Sequence, residues 1–186
     1  DIEERVRLCF TPFFFYKYTF ERKIYMLLSI VMIVKNEEKI LEKTLKSLTT
    51  LRNSIESELI IVDTGSTDDT INISRKYTEN VYFHNWNNDF SSMRNISISY
   101  AKGEWLLILD ADEILIDSST IVKFFKDGLD KKFNSASIQL KNLYSYDKKL
   151  YGYCSVLRLF KNVDFRYHGK VHEQPIYKNP IFNNVA

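Results

Sequence analysis

Asp110-Ala111-Asp112 is the stretch of this chain most plainly equipped for chemistry, because it follows the unbroken apolar run Trp105-Leu106-Leu107-Ile108-Leu109. Such a run commits a strand to the core and leaves the two acids at its rim. Carboxylates at alternate positions can share a hard divalent cation, and the cation can bridge phosphate oxygens. The competing reading is a pair of solvated acids at a strand end. Asp63 ends a second apolar run, Leu59–Val62, in the same manner. Its carboxylate could accept the imide N–H of uracil, a donor that cytosine lacks, or could open an Asx-turn before Gly65. Arg94 lies in the stretch Asp89–Asn95. A planar guanidinium near a sheet rim suits a diphosphate, whereas an ordinary helix arginine is simply solvated. Finally, His168-Gly169-Lys170-Val171-His172-Glu173 gathers two of the three histidines. Its spacing is not the H-E-x-x-H of a zinc-binding helix, and Gly169 and Val171 argue against a helix presenting both rings on one face. The segment reads as a loop beside a site.

The elements that must position these residues alternate in type. Leu27–Val34 reads as a buried strand of a mostly parallel sheet. Asn36 is expected to cap the next helix, with Glu37 and Glu38 in its first turn, where the helix dipole favours negative charge. Leu41, Leu45 and Leu48 form its apolar stripe, with Ile40 and Leu51 at the margins. The tight turn Asp63–Asp69 follows the second strand, and Ser66 and Asp69 have capping-box spacing for another helix. Val81–His84 predicts a third strand, Phe90–Ala101 a helix, and Trp105–Leu109 a fourth strand. A helix starting at Ser118 or Ser119 carries Ile121, Val122, Phe124, Phe125 and Leu129, with Gly128 near its end where a left-handed residue is wanted. Beyond it, Ala136–Leu143 and Ser155–Phe160 are extended, with no clear helix between them. This order predicts an α/β half-sheet carrying a second, mixed part. Its chemistry belongs at the carboxyl ends of the strands.

A length of 186 residues suits one α/β domain. With 26 basic against 24 acidic residues the net charge is +2, which gives no electrostatic case for nucleic acid as a partner. Cys9 and Cys154 are too few and too scattered for a disulfide framework or a metal knuckle. They are expected to be free thiols in a reducing cytosol, which places the protein in the cytoplasm. The longest charge-free apolar runs, Leu8–Tyr16 and Ile24–Val34, fall short of the roughly 20 residues a spanning helix needs. The first run lacks a small-residue cleavage site, so it is a poor signal peptide. A weak surface association through Phe13–Tyr16 stays open. Met26 stands directly before the first core strand, and codons for Glu21-Arg22-Lys23 can spell a purine-rich ribosome-binding sequence. Residues 1–25 are therefore expected to be leader or non-native extension and residues 26–186 the domain. Because Ile181–Ala186 follows so soon after the late loop, the domain is expected to be incomplete at its C-terminal end.

Taken in order, Ser29–Glu38, Ile61–Thr70, Asp89–Asn95, Leu109–Glu113 and Gly169–Glu173 resemble the pattern of the family 2 glycosyltransferases, over residues 27–175. The late segment and the Asp-Phe-Ser stretch are most similar to the bacterial branch acting on peptides and proteins, which includes the sublancin S-glycosyltransferase. The resemblance implies the GT-A fold, a Rossmann-like nucleotide-binding half-sheet with a mixed acceptor-side part. It also implies transfer of a sugar, usually with inversion, from a nucleotide diphosphate to a peptide, protein or glycan acceptor, assisted by Mn²⁺ or Mg²⁺. On that basis Val34, Lys35 and Glu37 would lie beside the nucleoside of a UDP-sugar and Asp63 would bind the uracil. Arg94 would hold the donor, Asp110 would face the ribose or a metal-bound water, and Asp112 would ligate the metal. His172 would be a late contact to metal or diphosphate, and Glu173 would lie near the acceptor.

Rival classes fit less well. A haloacid-dehalogenase-like phosphatase also places D-x-D after a buried strand, but it wants Thr or Val where Ile114 stands and an earlier place in the chain. A nucleotidyltransferase wants a glycine-rich loop after the first strand, yet Val34-Lys35-Asn36-Glu37 has no glycine. A truncated, non-catalytic nucleotide-sugar-binding module remains the alternative to an enzyme. If the chain is an inverting enzyme, it needs a base on the acceptor side. Asp63, Asp110 and Asp112 are taken by the donor, and Glu173, beside a glycine and a histidine, is the carboxylate expected to serve.

Overall fold

The structure is a computed structural model and describes residues 26–145, 150–163, 165–177 and 182–184. The expected leader 1–25, with Cys9 and the Phe13–Tyr16 run, lies outside the described residues. Apolar alternation builds the sheet. In β1 (Leu28–Val34), Leu28, Ile30 and Met32 pack into one core cluster while Val31 packs into another on the opposite face. β2 (Ser57–Asp63), β3 (Val81–Phe83) and β4 (Trp105–Leu109) run parallel to it, in the order β4-β1-β2-β3. The first cluster gathers residues of α1 (Leu41–Ser47), α2 (Thr49–Ser54) and α5 (Ser119–Lys126) against the sheet. The second gathers α4 (Phe90–Ser99) and the hairpin of β8 (Phe165–His168) and β9 (Gln174–Tyr177) on the other face. α3 (Thr70–Arg75) links β2 to β3.

The mixed part extends the same sheet past β4. β7 (Leu150–Lys161) pairs antiparallel with β4 and with β6 (Ser135–Ser145), which also carries β5 (Glu113–Leu115) and β10 (Phe182–Asn184). The result is an eight-stranded mixed sheet, the expected α/β half-sheet with its second part. The extended pieces at 136–143 and 155–160 are thus the hydrogen-bonded cores of two longer strands. Gly128 takes the left-handed conformation expected of it, φ 69°.

Two expected helix caps do not form. Asn36 is itself left-handed (φ 54°), and α1 starts only at Leu41. Ser66 and Asp69 make no capping box; α3 starts at Thr70 without a side-chain cap from Asp69. The physical reason is common to both: these side chains and amides bond across to each other. Asn36 Oδ1 accepts from Thr67 N (2.8 Å), Asn36 N donates to Ser66 Oγ (2.9 Å), Glu37 N donates to Thr70 Oγ1 (2.7 Å), and Glu38 Oε2 accepts from Asp69 N (3.1 Å). Capping spacing is a local signal, and long-range partners override it.

A buried polar node fixes the start of the sheet. Ser29 Oγ donates to Glu58 Oε1 (2.6 Å) and accepts from Gly103 N (2.8 Å), while the same Glu58 oxygen accepts from Lys102 N (2.6 Å). β1, β2 and the turn into β4 are thereby held together at one point. A Cβ on Gly103 would meet Ser29 N at 2.5 Å and Leu28 C at 2.7 Å, both backbone atoms that cannot swing aside. Gly103→Ala is therefore expected to lower stability by roughly 1–3 kcal/mol, the usual cost of overpacking, read as a lower urea midpoint with an unchanged slope.

Candidate active site

The carboxyl ends of β1, β2 and β4, with the loop after β3, open on a cavity of about 360 Å³. Ile33, Val34, Lys35, Glu37, Thr64, Trp86, Phe90 and Asp110-Ala111-Asp112 line it. Of the sequence-predicted residues, Val34, Lys35, Glu37, Asp110 and Asp112 therefore meet in one place, whereas Asp63, Arg94, His172 and Glu173 are not part of its lining. Asp63 is buried beneath the turn, and its carboxylate accepts from Gly65 N (3.0 Å) and Ser66 N (3.1 Å). Of the two uses open to it, the Asx-type turn is the one formed here.

α4 brings its arginine inward rather than to solvent. Ser91, Arg94 and Ile98 share the buried stripe of the helix. The Arg94 guanidinium, expected to hold the donor, meets carboxylates through two of its nitrogens, while its buried Nη1 has no hydrogen-bond partner among the described residues. Nη2 donates to Asp110 Oδ1 (2.8 Å) and Nε to Glu173 Oε1 (2.7 Å). The guanidinium also lies over the Tyr167 ring, 5.4 Å from its centroid. A second buried arginine, Arg158 on β7, takes the other Asp110 oxygen (2.9 Å) and holds Glu113 through Nη2 (2.6 Å) and Nε (3.0 Å). Burial alone would lower the pKa of Arg158; Glu113 and then Asp110 more than offset it and keep the group protonated. Opposite charges thus alternate along the chain Glu113–Arg158–Asp110–Arg94–Glu173.

The acidic turn is braced from both sides. Asp110 N donates to Glu113 Oε2 (3.0 Å), and Thr44 Oγ1 on α1 donates to Ala111 O (2.6 Å). The late loop is tied to α4: Phe90 N donates to Lys170 O (3.0 Å), and Asn95 exchanges two bonds of 2.9 Å with the Tyr167 backbone. Gly169 and His172 both adopt positive φ, 101° and 57°, so this loop turns sharply twice. His172 is exposed.

Asp110 has both oxygens matched by arginine, but Asp112 and Glu37 do not. Burial and then the nearby Asp110 push Asp112 up from the ordinary aspartate value. Burial, then Asp112, Asp68 and Asp110, raise Glu37 to about 6. Crowded, unmatched carboxylates at a cleft suit a divalent cation. Among the described residues no group of three or more His, Cys, Asp or Glu is placed to hold one, so remaining ligands would be waters and phosphate oxygens, as is common for Mg²⁺. Nothing in the sequence pattern singled out Arg158, a lone arginine in an extended strand. Trp86 sits in a polar loop without periodicity. Glu113 carried only its adjacency to the acid pair.

A parallel half-sheet with an acidic cleft at its carboxyl edge and an antiparallel extension has the GT-A architecture. The chain belongs to glycosyl transferase family 2, whose sequence profile matches residues 29–138, more than half its length. It is 35% identical over 152 residues to the SPbeta prophage-derived glycosyltransferase SunS of Bacillus subtilis (strain 168), covering 80% of this chain and 34% of that protein. The chain thus spans about a third of the length of that relative. S. aureus TarS 1-349, solved in complex with UDP-GlcNAc, superposes with a TM-score of 0.50 at 27% identity, covering 60% of this chain and 33% of that one. Glucosyl-3-phosphoglycerate synthase of Mycobacterium tuberculosis shares the fold, with a TM-score of 0.50 at 21% identity over 60% of this chain and 43% of that one.

A carboxyl group whose folded pKa is raised contributes a penalty that is absent below its unfolded pKa and complete above its folded one. For Glu37 that window runs from the ordinary 4.5 to about 6. With chelator present, Glu37→Gln should match the unmutated protein in urea unfolding near pH 4. It should become the more stable of the two as pH rises through the window, and hold that gain above it.

Proposed function

We propose that this chain binds a UDP-sugar at the carboxyl edge of its parallel strands and transfers the sugar to an acceptor. The supporting observation is the cavity itself: Val34, Lys35 and Glu37 from β1 and its loop face Asp110 and Asp112 across one cleft in a family 2 domain. The likeness to TarS, which binds UDP-GlcNAc, supports uridine as the nucleoside. Asp112, with Glu37 beside it, would hold Mn²⁺ or Mg²⁺. When bound, the cation supplies Lewis-acid stabilisation of the leaving diphosphate. Arg94 acts on the donor side by positioning Asp110, which faces the ribose or a metal-bound water. Asp63 shapes the turn beneath the nucleoside, and its contact with uracil requires one of its oxygens to be shared.

Transfer by inversion needs a base opposite the leaving group. Glu173 is assigned that role. Its Oε1 is held by Arg94, while Oε2 takes no hydrogen bond among the described residues and can receive the acceptor's proton. His172 next to it is assigned to the diphosphate or metal.

The test of the donor site is calorimetry with UDP, with Mn²⁺ or with chelator. UDP should bind more tightly with the metal, and Asp112→Asn should remove roughly 1–3 kcal/mol of that affinity, the range for losing a charge-assisted contact. Equal binding in chelator would refute the metal assignment. For the base, Glu173→Gln should lower kcat by ~10²–10⁴-fold while leaving donor affinity nearly unchanged. Turnover at the unmutated rate would remove Glu173 from catalysis, and lost UDP-sugar binding would move it to the donor side.

A further inference from the structure

The antiparallel extension leaves one sheet face open beside the acidic turn, and the donor site makes no use of it. We propose that this outer face of β5, β6 and β7 docks the acceptor, and that the acceptor it fits is an extended, acidic peptide segment, an inference that rests on the proposed function. Strand register lays out the face. Ile114 stands opposite Lys141, and Lys141 opposite Tyr153, so the three form a row across the strands. Side chains two residues apart share one side of a pleat. Ile116, Gln139 and Ser155 therefore make the next row, in which Gln139 and Ser155 are direct partners. Glu113 and Leu115, one residue out of step, point the other way and are buried. Tyr153 is 71% exposed and Ile116 44%, and Gln139 and Ser155 are exposed as well.

The charge on this face is positive. Lys141 Nζ lies 4.1 Å from the centroid of the Tyr151 ring and 5.7 Å from that of Tyr153. From α1, Lys43 Nζ reaches the same Tyr151 ring at 4.5 Å and donates to its hydroxyl (2.5 Å). Two ammonium groups are thus gathered on one ring. Among the described residues neither has a carboxylate within ion-pair distance. Like charges held together repel until an anion joins them, and the rings supply only the weak attraction of their faces. An incoming carboxylate is the complement this pair lacks. Beside the lysines a cavity of about 180 Å³ opens between Ile116, Gln139, Tyr153, Cys154 and Ser155. Its lining carries no ion pair, so it suits an apolar side chain of the same segment.

Two connections tie the face to the cleft. Ile114 follows Asp112 by two residues at the start of β5, and Thr44, next to Lys43 on α1, donates to Ala111 O (2.6 Å). A segment lying along the strands would set one residue on the lysines and another over the cavity. The two rows are about 7 Å apart, two residues of extended chain. A peptide with an acidic and an apolar side chain at that spacing answers both features. A neutral glycan would leave both lysines unpaired.

The test is fluorescence anisotropy on the full chain with Mn²⁺ and UDP present. The probes are short labelled peptides of Gly and Leu with Glu, with Gln or with Lys, and a labelled oligogalacturonate. The Glu peptide should bind more tightly than the other two, and less tightly at high salt, since exposed charges are screened. Lys43→Gln combined with Lys141→Gln should weaken it about 2- to 30-fold, the worth of two exposed charge pairs. Ser155→Trp, which fills the cavity, should weaken it too. Far-UV circular dichroism shows that each variant is folded, and UDP affinity by calorimetry should not change in either. Equal binding of the Glu and Gln peptides, or of the Glu peptide to the folded double variant, overturns the acidic-peptide face. Tighter binding of oligogalacturonate, which carries its carboxylates on a glycan, also overturns it. So does a loss of UDP affinity in the folded double variant, which would move the lysines to the donor. UDP binding by the unmutated protein under any of these results leaves the donor site standing. Its absence removes the donor site, and the face's place in transfer with it.

Discussion

The carboxylate of Asp110 sits between two guanidinium groups, and the arrangement of the cleft follows from that sandwich. Both arginines are largely withdrawn from solvent; the side chains of Arg94 and Arg158 are 6% and 16% exposed. A buried charge without a partner costs several kcal/mol, so each arginine must find carboxylates where it lies. One arginine comes from α4 on one face of the sheet and the other from β7 in the antiparallel extension. Asp110 can satisfy both only at the end of β4, the strand that joins the parallel half to the extension. The acid that could first be read as a solvated strand end is therefore the charge on which two halves of the sheet converge. Its neighbour Asp112 is left unmatched, and an unmatched carboxylate beside a matched one suits a cation.

Stretches that look like separate motifs along the chain turn out to be partners of one another. Asn36, Glu37 and Glu38 bond to Ser66, Thr67, Asp69 and Thr70, so the loops after β1 and β2 form one hydrogen-bonded floor. Phe90, Arg94 and Asn95 bond to Lys170, Glu173 and Tyr167, so the first turns of α4 clamp the late loop. This explains why small polar residues at these places are spaced as they are. Each must present one donor or acceptor to a strand end about 30 or 75 residues away, a geometry that a substitution of even similar polarity would disturb.

The core was legible for a simple reason. Continuous apolar runs such as Ile30–Val34 and Trp105–Leu109 pack on both faces of the sheet, and little besides a central parallel strand uses such a run. Strand ends followed directly, and with them the gathering of Val34, Lys35, Glu37, Asp110 and Asp112. Caps were misread at Asn36 and Ser66 because a local spacing rule cannot register a partner some 30 residues distant. Arg158 was invisible on similar grounds: in an alternating strand an arginine reads as outward-facing, and here it falls where the pairing of β7 with β6 shifts register, between Leu157 and Leu159. Trp86 belongs to a loop, where hydrophobic periodicity carries no information.

One consequence of the charge chain reaches across the cleft. Arg94 spends Nη2 on Asp110 at the end of β4 and Nε on Glu173 of the late loop, so a single rigid plane sets the separation between the two. That plane is in turn fixed by the helix that carries it, since α4 packs against β1 and presents Arg94 on its buried stripe. The loop bearing Glu173 has sharp turns at Gly169 and His172 and lies at the edge of a two-stranded hairpin. Such a loop has little hydrophobic burial of its own to define its place; Val171 is 64% exposed. Its position is instead taken from α4, through one ion pair and backbone hydrogen bonds. Asp110 and Glu173 therefore keep their spacing because they share one buried guanidinium, which a conservative lysine, with a single point charge in place of a planar fork, could not reproduce.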